Sequence, residues 1–113
     1  EARIKGIEVV LDKIAELEGR PAFLMGDMNA HENSKTIKST KESFDDALKI
    51  AASVTGTDYT YNNWGEPEAG DRIDYILIGK GSATVSEYHV VDNSHSGIYS
   101  SDHCPIYIKT KIN

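Results

Sequence analysis

Three short stretches hold the residues of this chain that could do chemistry: Gly26-Asp27-Met28-Asn29, Arg72-Ile73-Asp74-Tyr75 and Ser101-Asp102-His103. Together they offer carboxylates, an amide and an imidazole, groups that orient water, hold a cation or move a proton near neutral pH. The first follows the apolar run Ala22-Phe23-Leu24-Met25 directly, which reads as a buried strand ending in a tight loop. Asp27 and Asn29 then stand at a strand's carboxyl end, the edge where chemistry-bearing loops collect in sheets with helical crossovers. In the second stretch, Asp74 interrupts a strand that is otherwise apolar on both faces. A carboxylate buried there costs roughly 2 kcal/mol or more without a partner. The expectation is that the three stretches converge on one site.

Each stretch alone also has a plain structural reading. Gly, Asp and Asn are the residues any loop after a strand selects, Asp74 could pair with Arg72 or another neighbour, and Asp102 could bond its own backbone. Other chemistries fail on geometry. His103 and Cys104 are adjacent in a strand and point to opposite faces, so they form no nucleophilic dyad. Ser101, Asp102 and His103 are too close in sequence to relay protons to one another. His31, His89, His95, His103 and Cys104 show no paired zinc spacing, and the oxygen-rich set suits a harder cation such as Mg2+ or Mn2+.

Several elements must position these residues. Ile4, Ile7, Leu11, Ile14 and Leu17 recur at spacings of three and four, predicting a helix over about 2–18 that Gly19 caps and Pro21 stops. A strand at 22–25 follows. Ser34 can cap a short helix to about Ser39, and Ser43 with Asp46 resembles a capping box for a helix over 44–53 closed by Gly56. From Asp58 the pattern changes to period two. It predicts strands at 59–61, 72–78 and 83–91, a hairpin-like turn at Gly79-Lys80-Gly81, a polar loop over 92–101 and a final strand opened by Pro105.

A chain of 113 residues with 39% apolar and 27% charged residues holds one small domain, spanning 1–113. The net charge of -6 argues against a broad electrostatic footprint for nucleic acid. Lys35, Lys38 and Lys41 form a small basic strip, read first as a solvated helix face and second as a phosphate contact. The single cysteine forms no internal disulfide. No apolar run is long enough for a membrane span, and no signal-peptide pattern opens the chain. Glu1 is not an initiator Met and the helical pattern begins uncapped at once, so a fragment or processed chain is expected.

In this order, the Gly-Asp-x-Asn loop, the Arg-Ile-Asp-Tyr strand and the Ser-Asp-His-x-Pro entry to the last strand resemble the C-terminal half of the endonuclease/exonuclease/phosphatase family. That family includes deoxyribonucleases, abasic-site endonucleases, sphingomyelinases and inositol polyphosphate 5-phosphatases. The resemblance implies an α/β fold: half of a four-layer α/β sandwich, with one mixed sheet and helices on one face. It implies a metal-dependent phosphoesterase, with Asp27 orienting or deprotonating the attacking water and Asn29 holding Asp27 and a phosphoryl oxygen. Asp74 would orient His103 towards the phosphoryl group, and Asp102 would bind the cation. Met28, where Phe or Leu is usual, and Cys104, where Arg is common, depart from the family pattern.

The resemblance also places an Asn and a Glu of the metal site in an N-terminal half that does not precede Glu1. Mg2+ or Mn2+ should therefore bind weakly and the chain alone should not turn over. The implied partners are a phosphate-ester substrate (nucleic acid, phosphoinositide or phospholipid headgroup) and the missing half. Strands apolar on both faces further suggest a homodimer through an open sheet face. The competing reading is a non-catalytic interaction or scaffold domain that retains the fold.

Overall fold

A computed structural model describes residues 1–113. The first helix, α1 (Ala2–Ala15), carries the expected stripe: Ile7 is buried and Ile4, Leu11 and Ile14 are half-buried. It ends three residues earlier than the stripe suggests, because Glu18 and Gly19 both turn left-handed (φ 53° and 77°). The chain then enters β1 (Phe23–Asp27), and after the Asp27 loop Ser34 caps α2 (Lys35–Thr40), its hydroxyl accepting from the Ile37 N–H at 3.3 Å. Lys35 and Lys38 are solvent-exposed on α2, in line with a solvated face.

The helix expected over 44–53 is corrected. Residues 44–46 form a strand, β2 (Phe44–Asp46), one turn of helix follows as α3 (Ala47–Ile50), and a second short strand is β3 (Ser53–Thr55). Tertiary pairing with a central strand overrides the local helical signal, and Asp46 itself is the cap, accepting from the Leu48 N–H at 3.1 Å. Gly56 closes no helix; a Cβ there would lie 1.9 Å from the Val90 carbonyl oxygen, so this crossing requires glycine.

The central strand is β4 (Asp74–Gly79), antiparallel to β1 on one side and to β2 on the other. The next strand, β5 (Ala83–Val90), does not pair with β4, so the turn at 79–81 hands the chain to another layer and makes no hairpin. There β5 lies between β3, parallel, and β8 (Ile106–Ile112), antiparallel. A bulge between Val85 and Glu87 shifts the alternation, so that Ala83, Val85, Tyr88 and Val90 are all buried. The polar segment 92–101 contains a small hairpin, β6 (Ser94–His95) and β7 (Ile98–Tyr99), whereas Tyr59-Thr60-Tyr61 makes no strand and contributes a single bridge from Tyr61 to His103.

The α/β half-sandwich is thus present, with its principal strands divided over two three-stranded ladders, β1-β4-β2 and β3-β5-β8. One face of the first ladder buries Tyr75 and Leu77 with Phe44 and Ile37, under Leu11 and Ile14 of α1. The other face buries Ile76 and Ile78 with Val85, Tyr88 and Val90 of the second ladder. This overturns the open face expected along β4. Ile76 is 5% exposed and Ile78 1%, so of the face expected to carry a homodimer, along 22–25 and 72–78, the β4 part is covered, while Met25 of β1 stays 61% exposed. No helix is long and apolar enough to cross a membrane.

Candidate active site

Asp27 ends β1 and Asp74 begins β4, and antiparallel pairing sets them directly opposite each other. Gly26, inside β1 opposite Tyr75, takes φ 145°, and the turn after β1 sends Asn29 into a left-handed conformation (φ 46°) with its N–H donating to Asp27 Oδ1 at 2.7 Å. That Asx bond orients the Asp27 carboxylate, which is exposed at the edge. His103, just before β8, places Nδ1 2.8 Å from Asp74 Oδ2 and Nε2 3.9 Å from Asp27 Oδ2. Its ring packs edge-on against Tyr61, with centroids 5.3 Å apart.

Partial burial opposes charge on the His103 imidazole. The Asp74 hydrogen bond and the charges of Asp74, Asp27 and Asp102 outweigh it and raise the pKa above the ordinary 6.5. The ring is therefore held as a cation further up the pH scale, with Nδ1–H donating to Asp74 and Nε2–H available towards Asp27.

Four of the five residues singled out in the sequence come together here: Asp27, Asn29, Asp74 and His103. An open hollow of about 440 Å3 is lined by Asp27, Asn29 and His103 with His31, Tyr61 and Asp71, while Asp74 stands behind the imidazole. Asp102 is half-buried beside the site. Its backbone carbonyl accepts the Asn62 N–H at 2.8 Å, and its carboxylate is not part of the group formed by Asp27, Asp74 and His103, whose donor atoms all lie within 4.8 Å of one another. A hard divalent cation needs few protein carboxylates, since it keeps several waters, and the oxygens of this edge meet that minimum. A second hollow of about 440 Å3, between Lys49, Asp58, Arg72 and Tyr88, touches this one only through His31 and contains none of the acid–imidazole group.

Asp74 does not pair with Arg72. Arg72 turns away to Asp46, Nη2 to Oδ1 at 2.6 Å, and stacks over the Tyr75 ring 4.5 Å from its centroid. Cys104 is buried opposite His103, where burial pushes its thiol pKa up and removes any nucleophilic role.

Sequence reasoning missed Thr60, Asn62 and Asn93, which bind the backbone around the site. Asn62 Nδ2 donates to Asn93 Oδ1 at 3.0 Å and to the Ser101 carbonyl at 2.9 Å, and Asn93 Nδ2 donates to the His103 carbonyl at 3.1 Å. Only the polar Thr60 between two tyrosines hinted at such a role; an Asn at the start of a loop looks like any turn residue.

A model of the endonuclease/exonuclease/phosphatase family matches residues 2–103. The chain belongs to that family. Solved structures agree. An endonuclease/exonuclease/phosphatase from Bacteroides vulgatus is 29% identical, with a TM-score of 0.89 over 99% of this chain and 44% of its own. A functionally unknown conserved protein from Enterococcus faecalis V583 is 26% identical, with a TM-score of 0.88 over 99% of this chain and 45% of its own. A mannosyl-6-phosphatase from Bacteroides thetaiotaomicron VPI-5482 is 24% identical and shares the fold, with a TM-score of 0.83 over 97% of this chain and 46% of its own. The chain thus spans less than half the length of each of these structures. No curated protein matches it. Members of the family are generally hydrolytic, act on phosphate esters such as phosphosugars and nucleic acids, and use divalent metals. Within the Asp27–Asp74–His103 group the carboxylate oxygens are the potential cation ligands, since an imidazole that carries protons on both nitrogens has no lone pair to give.

Proposed function

We propose that this chain carries part of the active site of a divalent-metal-dependent phosphoric ester hydrolase, with water as the nucleophile. The observation that carries the reading is the His103 imidazole, hydrogen-bonded through Nδ1 to Asp74 while Nε2 faces the opposed Asp27 carboxylate. In it, Asp27, aimed by the Asn29 N–H, accepts a proton from or orients the attacking water, and the Asn29 side chain holds a phosphoryl oxygen. His103, kept cationic by Asp74, donates a hydrogen bond to the phosphoryl oxygen as charge builds. Asp102 would help to hold a divalent cation, Mg2+ or Mn2+, which when bound would further neutralise the phosphoryl charge.

Residues 1–113 act as the C-terminal half of the domain, and the Asn and Glu expected to complete the metal site lie outside them. The net charge of -6 favours a small phosphate ester over a nucleic-acid polymer. A phosphorylated sugar, the substrate type in the name of one structural neighbour, is the first to try.

The test is an assay of this chain alone and of the chain joined to a family N-terminal half. The panel comprises sugar phosphates, p-nitrophenyl phosphate, DNA, RNA, phosphoinositide and sphingomyelin, each with Mg2+, Mn2+ or chelator. The joined protein should hydrolyse at least one ester, lose that activity with chelator and with His103→Ala, and far exceed the chain alone. Hydrolysis that survives His103→Ala would reject the site. Complete inactivity on the panel would favour the scaffold reading.

A further inference from the structure

Asp74 and His103 act as a pair, yet no ladder joins the strands they flank. Asp74 heads β4, whose partners are β1 and β2, and His103 precedes β8, whose partner is β5. The 2.8 Å contact between their side chains therefore needs another source of register. We propose that Thr60 supplies it, as a positioning residue whose hydroxyl and carbonyl hold the two backbones at the spacing their side chains require.

Thr60 is fully buried (0% exposed), in a segment with no regular pairing of its own. Its Oγ1 accepts two backbone N–H groups, those of Ile73 and Asp74, each at 3.0 Å. Its carbonyl accepts the Cys104 N–H at 2.7 Å, and its own N–H donates to the Asp71 carbonyl at 3.1 Å. One residue thus binds the backbone on both sides of the pair. Its neighbours extend the bridge: Tyr61 pairs with His103, and the Asn62 N–H donates to the Asp102 carbonyl. A buried N–H without an acceptor is costly, so removal of the hydroxyl forces Ile73 and Asp74 to move towards another partner. The Asp74 carboxylate moves with them.

The proposal uses the phosphoesterase reading for its kinetic arm alone, so a second readout stands apart from turnover. Thr60→Val deletes the hydroxyl at nearly constant volume, and Thr60→Ser keeps it. In this chain, the His103 Nδ1–H bonded to Asp74 should give a slowly exchanging low-field proton resonance. That signal should persist in Thr60→Ser and vanish in Thr60→Val, while the amide spectrum of Thr60→Val stays dispersed. In the joined protein, Thr60→Val should lower kcat on the order of 10²-fold with KM little changed, as expected for a small misplacement of a reacting group. Most of that loss should disappear when Asp74→Asn is already present, because both changes then remove the same alignment.

Retention of the resonance in folded Thr60→Val overturns the proposal, as does a kcat loss fully additive with Asp74→Asn. If Thr60→Val does not fold, Thr60→Ala takes its place under the same criteria. Failure of both to fold assigns Thr60 to folding and overturns the positioning role. Absence of turnover in every protein, wild type included, counts against the phosphoesterase reading alone, and the resonance then decides for or against Thr60.

Discussion

Arg72 and Asp74 stand two residues apart, yet Arg72 takes Asp46 in the interior while Asp74 takes His103 at the edge. The Arg72 and Asp46 side chains are 9% and 0% exposed, and those of His103 and Asp74 are 30% and 16% exposed. Burial opposes charge on Arg72, and the Asp46 hydrogen bond and charge outweigh it, so the guanidinium stays ionised beyond its ordinary range. Such a pair ties β2 to the entrance of β4. The edge pair uses the same kind of attraction on an imidazole, whose pKa it raises, and borders an open hollow. Charge pairing is common to both; exposure and the kind of cation, guanidinium or imidazole, separate them.

The largest effect that would test this contrast is on stability. Arg72→Ala leaves the Asp46 carboxylate buried without its cation and should cost about 3–5 kcal/mol, read as a lower urea midpoint. A change below about 1 kcal/mol would show the interior pair to be dispensable. Asp74→Asn should act in the opposite sense. Its stability should stay within about 1 kcal/mol of wild type, while turnover by the joined protein falls about 10²-fold or more. Equal losses in both variants would erase the distinction.

A smaller effect concerns pH. The folded pKa of His103 is raised above its unfolded value of 6.5. The stability it contributes is therefore fully present below the unfolded value and is lost as pH rises through the folded one. The urea midpoint of wild type should exceed that of Asp74→Asn below the unfolded pKa of His103 and converge with it as pH rises through the raised folded value, the gap not exceeding about 1 kcal/mol because the pair is partly solvated. A gap that widens with pH would mean that His103 is not the group responsible. Smallest of all should be the response of the isolated chain to Mg2+. A weak site stabilises by RT ln(1 + [Mg2+]/Kd), so the melting temperature should creep upwards without early saturation. A steep, chelator-reversible rise would show that these residues suffice for tight binding.

The candidate site was legible in the sequence to the extent that it rests on residue type. Asp27 and Asn29 stand out at a strand end, Asp74 by the cost of a carboxylate in an apolar strand, and Asp102 and His103 as an acid–imidazole stretch; the structure brings all but the Asp102 carboxylate to one edge. The stripe of α1, the Ser34 cap of α2 and the apolar core of β4 were equally plain, because periodicity and turn residues are local properties; the buried strand expected at 22–25 is instead an edge strand whose Met25 is 61% exposed. Tertiary structure alone decided that 44–46 is a strand, since its partner β4 lies some thirty residues on. It decided that β4 is covered on its second face, because the bulge in β5 swings Tyr88 and Val90 onto Ile76 and Ile78. It decided, too, that Arg72 seeks Asp46 and leaves Asp74 to the imidazole, and that Thr60 lies between them. Such partnerships depend on which distant backbones meet, and a local pattern of hydrophobic and polar residues does not encode that.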